Sequence, residues 1–430
     1  MSIAMKASYK NISCAVLAAL GAASQLAQAS GFQLIEQNAS GAGNAFAGQA
    51  AAVENASTVF YNPAGMTYLP GVQISGSVNG IRPSIKFSDN GGSRSPAGVG
   101  EPGGGDNGGN AGDWNWIPNL DLTWQLTPKL WAGIGISAPF GLKTQYDPSF
   151  IGRFQSQKTD FKTIDVNPSV AYKINDIVSV GAGVSYQHGT LGIDRSVFVG
   201  VELPETISLH DNAWGWNIGA MFNLGTATRL GLSYRSAINY TLTGTVTVAG
   251  VGGSSASAKL NLPPTLSVAL SHQLNDKWQL LGDVTWTQWS KVQNVDLFLT
   301  SAGLGAFPAG TLVDTLDFQF KDTYRVGVGA NYRWTNNLML KFGVAYDKTP
   351  VPDSAHRSTL VPDNDRKWLA IGVKHQLTKN DTIDVGYAHL FLSDPDIARV
   401  KGVGFLGQGI VSGTYRESSD LVSLQYSHSF

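Results

Sequence analysis

Arg195 is the side chain best suited to hold a charged ligand. A guanidinium presents a planar fork that can meet a carboxylate with two hydrogen bonds. Arg195 shares strand parity with Gly181, Gly183 and Ser185, opposite the apolar Val178, Val180, Ala182, Val184 and Tyr186. In an unbroken strand it points away from the apolar side. The commoner use of arginine is a structural ion pair, here with Asp194 or another acid on the same side. Asp347, in Tyr346-Asp347-Lys348, has the same parity. It could pair with a cation or simply be a carboxylate at the entry to a loop. The histidines at 188, 210, 272, 356, 375, 389 and 428 form no H-x-x-x-H or H-E-x-x-H pair, and G-x-S-x-G does not occur. The glycine-rich stretch 98–112 has no lysine and no strand–helix context, so it reads as a loop and not a phosphate cradle. Neither catalysis nor a metal or cofactor is expected.

Two stretches matter for their backbone. Ile136-Ser137-Ala138-Pro139-Phe140-Gly141-Leu142 closes an apolar strand. Pro139 cannot donate to a ladder, and Gly141 tolerates unusual angles, so Pro139, Phe140 and Gly141 could open a gap between strands. The other reading is a strand fraying into its loop. Asn62-Pro63-Ala64 is a rigid corner, because proline fixes φ and asparagine can bond its own backbone.

The elements that carry these residues alternate with period two. Trp114, Trp116, Pro118, Leu120, Leu122, Trp124 and Leu126 share one face. Phe318, Phe320, Tyr324, Val326, Val328, Ala330, Tyr332 and Trp334 share another. Aromatics at the ends of apolar faces suit two membrane interfaces, which would turn the polar faces to a lumen. About fourteen such segments can be counted, an even number, as single-chain bacterial barrels have. Short turns such as Asn175-Asp176, Gly225-Thr226 and Asn275-Asp276 alternate with longer connections, including 89–112, 196–212 and 291–315. The fold expected is all-β: a monomeric transmembrane antiparallel barrel over 71–430. A charged fraction of 14% and a mean hydropathy of −0.04 agree with alternating strands and not with apolar helices.

Residues 1–29 read as a secretory signal peptide, with Lys6 and Lys10, an apolar core from Ile12 to Leu20, and Ala27-Gln28-Ala29. Its removal would take Cys14, the chain's one cysteine, and leave 28 basic against 31 acidic residues. That balance does not suggest nucleic acid. Residues 30–70 are rich in Gly and Ala without sustained period, and are expected to plug the lumen as a hatch. The chain ends on alternating Val422, Leu424, Tyr426 and Phe430.

Several stretches together resemble the FadL family of outer-membrane transporters for long-chain fatty acids and other hydrophobic compounds. They are Ser30-Gly31-Phe32-Gln33-Leu34, Asn62-Pro63-Ala64, Ala213-Trp214-Gly215-Trp216-Asn217-Ile218-Gly219, Leu232-Ser233-Tyr234-Arg235-Ser236, Leu260-Asn261-Leu262-Pro263, Phe320-Lys321-Asp322-Thr323-Tyr324-Arg325, and Pro350-Val351-Pro352 with Pro362-Asp363-Asn364-Asp365-Arg366. The resemblance covers essentially the whole mature chain. It implies an N-terminal hatch, an outer low-affinity site, a tighter lumen site, and a lateral window at an inward kink of the third strand, which falls on Pro139 to Gly141. It also implies a ligand-carboxylate role for Arg195, a lumen acid at Asp347 and a ligand-site aromatic at Phe32. Where fatty-acid members place a lysine beside that arginine, this chain has none near Leu316. The outer loop at 196–212 is short by family standards.

The function expected is passive, ligand-gated uptake of long-chain fatty acids or similar hydrophobic molecules across the outer membrane, with lateral release into lipid. The alternatives are a channel for neutral aromatic or alkane hydrocarbons, a general porin, and a barrel hydrolase.

Overall fold

The protein is seen in a computed structural model that describes residues 31–97, 104–404 and 406–430. The expected signal peptide, Ser30 and part of the glycine-rich loop lie outside the described residues. Among the described residues, twenty strand segments make fourteen antiparallel barrel strands, six of them broken in two. They are β1 (Val72–Asp89), β2 (Asn115–Thr127), β3a and β3b (Leu130–Ser137, Gly141–Gln145), β4 (Lys158–Lys173), β5 (Val178–Phe198) and β6 (Glu202–Asn223). Next come β7a and β7b (Thr228–Arg235, Ile238–Val248), β8a and β8b (Gly252–Leu262, Thr265–Gln273), β9a and β9b (Trp278–Thr287, Asn294–Leu299), and β10a and β10b (Leu312–Asp317, Thr323–Arg333). The rest are β11 (Leu338–Asp347), β12 (Arg366–Gln376), β13a and β13b (Asp381–Leu392, Asp396–Val400) and β14 (Ile410–Ser429). Each pairs with its sequence neighbour, and β14 pairs with β1 from Gln73↔Ser429 to Asp89↔Gly413. Closure removes the sheet edges that lipid could not satisfy.

The turns at one end form for local reasons. Asn175 caps the amides of Ile177 and Val178, and Asn275 caps those of Lys277 and Trp278. Short turns of this kind mark the periplasmic end. Around the middle, Val170, Val184, Val284, Val344, Ile371 and Leu424 are exposed on the outer surface. Without lipid that would be an untenable apolar belt; in a bilayer it is the membrane face. Tyr186 with Trp214, and Trp216 with Tyr234, lie ring against ring at 4.9 and 5.2 Å at its outer rim.

Above that rim the alternation reverses, against the expectation that polar faces line the lumen throughout. On β6, Ile207, Leu209 and Ala213 are buried while Thr206, Ser208, His210 and Asn212 face out. On β7b and β8a, Tyr240, Leu242, Val246, Ala258 and Leu260 face in. The wall here has left the membrane, so its outside can be polar. In β7 a break does the switching: inward residues are odd-numbered in β7a and even in β7b, with Ser236 and Ala237 between, whereas in the unbroken β5 and β6 the inward parity holds and the residue types change. Phe318 and Phe320 are likewise buried inside, although Tyr324, of the same parity, faces lipid. The stretch 196–212 is mostly not a loop; β5 and β6 continue through it to a turn at 199–201.

Candidate functional site

Residues 31–69 bond to inward side chains around the ring, which places them inside it. Ala39 donates to Gln425 of β14, Asn44 to Asn331 of β10b, Gly48 to Asp283 of β9a, and Thr67 to Ser179 of β5. Asn62 Nδ2 donates to the Ala50 carbonyl at 2.8 Å and to Ala220 and Leu232 of the wall at 3.1 and 3.3 Å, while its Oδ1 accepts the Ala64 amide. Pro63 then starts a short 3₁₀ turn. The corner sits so close to the wall that a Cβ on Gly219 would lie 2.0 Å from Asn62 Oδ1. Asn62, Pro63 and Ala64 thus shape the segment and anchor it.

The third strand is broken where the sequence predicts. Ser137 pairs with Asp165 and Gly141 with Lys162, so three residues, Ala138, Pro139 and Phe140, oppose two. The extra residue is a bulge, and it flips the inward set from Trp131 and Ser137 to Phe140, Leu142 and Thr144. On the other side the rungs to β2 stop at Leu120↔Ile136, and none reaches Asn115–Asn119. The freed edge is met from inside by the N-terminal segment. Leu34 N donates to Pro139 O and Gly141 N to Phe32 O, both at 2.8 Å, and the Gln37 side chain bonds both backbone groups of Ala138. Two backbone bonds and one amide side chain therefore seal the gap, far less than a full ladder.

Phe32 carries that seal and also closes the base of an apolar cup. Its ring lies 4.8 Å from Trp289, 5.5 Å from Phe161, 6.3 Å from Phe140 and 6.5 Å from Phe320. Above it the cup is lined by the reversed faces of β5 to β9, with Leu191, Ile207, Leu242, Leu260 and Leu297 in one continuous apolar cluster. Trp289 and Phe161 are not singled out by the sequence, and Phe320 is assigned there to the lipid-facing set with Tyr324; Trp289 and Phe320 lie in strand breaks, where period two gives no face.

Arg195 is buried in the upper wall. Its Nε donates to Glu205, its register partner on β6, and its Nη1 to Asp314 of β10a. Lys401 Nζ completes the group at 2.8 Å from Asp314. The ion-pair use of Arg195 is the one in place, with Glu205 and Asp314 and not with Asp194, which meets Lys158. Glu205 escaped notice because 196–212 reads as a loop. Asp347 ends β11 between Arg325 and Arg366 in register, and lines a cavity of about 100 Å³ with Gln33, Leu34, Arg235 and Asp283.

Glu36 gives the seal a pH dependence. It is buried, with one carboxylate oxygen lacking a partner, while Asn79 and Asn119 hold its backbone carbonyl. Burial, partly offset by Arg366, pushes its carboxyl up to about 7. An acid raised in the docked state favours docking while protonated, and that contribution is lost as pH rises through 7. The amides of Leu34 and Gly141 are expected to exchange with solvent several-fold faster at pH 8 than at pH 6, after correction for intrinsic rates. Glu36→Gln should abolish the difference; an unchanged difference would assign it elsewhere.

A closed barrel with a lipid-facing belt and an internal segment sealing a broken strand belongs to the outer-membrane transport class. The family described as outer membrane protein transport protein (OMPP1/FadL/TodX) matches residues 20–430, and this chain belongs to it. It is 30% identical to outer membrane protein P1 of Haemophilus influenzae, over 88% of this chain and 89% of that protein. It is 27% identical to the long-chain fatty acid transport protein of Escherichia coli K12, over 87% and 91%. The crystal structure of a Pseudomonas aeruginosa FadL homologue superposes with a TM-score of 0.83 at 25% identity, covering 93% of this chain and all of the other. The Ralstonia pickettii toluene transporter TbuX shares the fold, with a TM-score of 0.66 at 18% identity and coverage of 90% and 97%. The protein is placed in the bacterial outer membrane.

Proposed function

We propose that the channel takes up long-chain fatty acids or similar hydrophobic molecules passively, and releases them sideways into the membrane through the broken third strand. The carrying observation is that one apolar lining narrows to Phe32, whose backbone is also the seal on β3. A ligand that fills the cup competes with Phe32 for the same aromatic wall. Displacing Phe32 removes the two bonds that close the gap, so binding and opening are linked. Residues 30–70 act as the hatch and 71–430 as the barrel of a monomer. Membrane lipid is the sink, since apolar surface gains by leaving water.

The occupied state of Arg195 favours a second reading, in which neutral aromatic or alkane hydrocarbons are carried, because a carboxylate would meet a cation already held by two acids.

The test uses cells lacking their own such channel, given ¹⁴C-oleate or ¹⁴C-toluene, with planar-bilayer recordings alongside. Saturable uptake of at least one probe without a large steady conductance is expected. A steady open pore, or uptake of neither probe, would refute gated uptake.

A further inference from the structure

We propose that the wall has a second side opening, between β6 and β7, through which the hydrophobic ligand also passes between lumen and membrane. This rests on the uptake reading and adds a second route to it.

The ladder between these strands is interrupted. Rungs join Asn217–Asn223 to Arg229–Arg235, and Glu205–His210 to Thr243–Val248. Between them, Asp211–Gly215 and Ile238–Leu242 face each other without backbone pairing, a gap as long as the one beside β3. At its edges the Thr241 amide donates to Asp211 Oδ2 at 2.7 Å, the Trp216 amide to Ser236 Oγ at 2.9 Å, and the Ser236 amide to the Trp216 carbonyl at 2.9 Å. The divergence is built in by two adjacent breaks, Ser236-Ala237 in β7 and Pro263-Pro264 in β8. The register between β7 and β8 is the same on both sides of them, so the two strands bend away from β6 together. The lower end of the gap, at Gly215 and Ile238, stands beside the aromatic rim of Trp214 and Trp216, so it opens at the outer edge of the membrane.

Its surroundings suit a ligand port. The Ile238 side chain fills the gap, its Cδ1 2.3 Å from where a Cβ on Gly215 would stand. No backbone rung crosses between Asp211–Gly215 and Ile238–Leu242, so widening the gap there moves side chains, Ile238 first. Inside, a cavity of about 20 Å³ touches Pro139 and Phe140 on one side and Trp216, Ser236, Ile238 and Pro263 on the other. Both wall breaks therefore meet one space. Outside, an apolar groove of about 570 Å³ begins at the foot of the gap, lined by Ile218, Ala220, Leu232, Tyr234 and Leu266 on the lipid face.

The experiment staples the gap. Ser236 Oγ lies 3.0 Å from the Cβ position of Gly215, the cross-distance a disulfide needs, and the Ile238 tip can swing aside. Gly215→Cys with Ser236→Cys is made in a Cys14→Ser background and compared with Ile238→Ala, reading ¹⁴C-oleate and ¹⁴C-toluene uptake in cells and calorimetric binding on the purified channel. Oxidation is expected to cut uptake of the carried probe about 1.5-fold, the β3 route carrying the rest, reversibly with dithiothreitol and with binding unchanged. Ile238→Ala should raise uptake. A complete staple with unchanged uptake, or a fall explained by lost binding, would overturn the second opening while leaving the uptake reading intact. A wild-type channel that carries neither probe would refute that reading itself.

Discussion

Deleting Ala138 is expected to leave a folded barrel in the membrane that releases ligand several-fold more slowly. Three residues of β3 face Thr163 and Ile164 of β4, and removing one makes the count equal. The alternation then runs through: Phe140, Leu142 and Thr144 keep their inward places, now in phase with Ser137. Straightened, β3 can extend its rungs toward Asn115–Asn119 of β2 and close the side gap. Uptake should fall about threefold, with the remainder leaving by the opening between β6 and β7. Heat-modifiable migration on gels and calorimetric binding should stay close to wild type. Full uptake by a correctly folded deletion variant would mean that the break in β3 is not a release path.

Arg195→Ala is expected to act on stability and not on ligand choice. The guanidinium is shared by Glu205 and Asp314, all three side chains nearly excluded from solvent. Removing it leaves two buried acids with only Lys401 on one of them, and breaking such a pair typically costs about 3–5 kcal/mol. The urea midpoint should drop accordingly, while the ratio of oleate to toluene affinity stays constant. Arg195→Lys should recover only part of the stability, because an ammonium cannot serve both carboxylates with a fork. A selective loss of oleate binding with unchanged stability would restore Arg195 to the ligand-carboxylate role that the resemblance implies.

Much of this architecture was legible because period two survives in a barrel whose two faces meet different media. Trp116, Leu122 and Val326 declare lipid, and the short Asx turns declare the periplasmic end. The break at Pro139 was legible too, since proline without a donor and glycine beside it are strong local signals. The reversal above the membrane was not. There Leu209, Leu242 and Leu260 look inward while threonines and serines look out, and alternation alone carries no label saying which face is inside. Two-residue breaks such as Ser236-Ala237 shift the phase silently. The charge group around Arg195 needed the barrel's closure, because Glu205, Asp314 and Lys401 come from three separate stretches that no spacing rule connects.

Calorimetric titration of oleate and toluene into the purified channel, wild type against Phe32→Ala, tests the central claim most directly. Phe32 contacts four aromatic rings and supplies the carbonyl that holds Gly141. Binding of at least one probe to wild type is expected, with a measurable change of about tenfold in affinity on losing the ring, and with faster exchange of the Gly141 amide as ligand is added. Binding that ignores Phe32→Ala and leaves Gly141 protected would contradict a cup whose filling opens the wall.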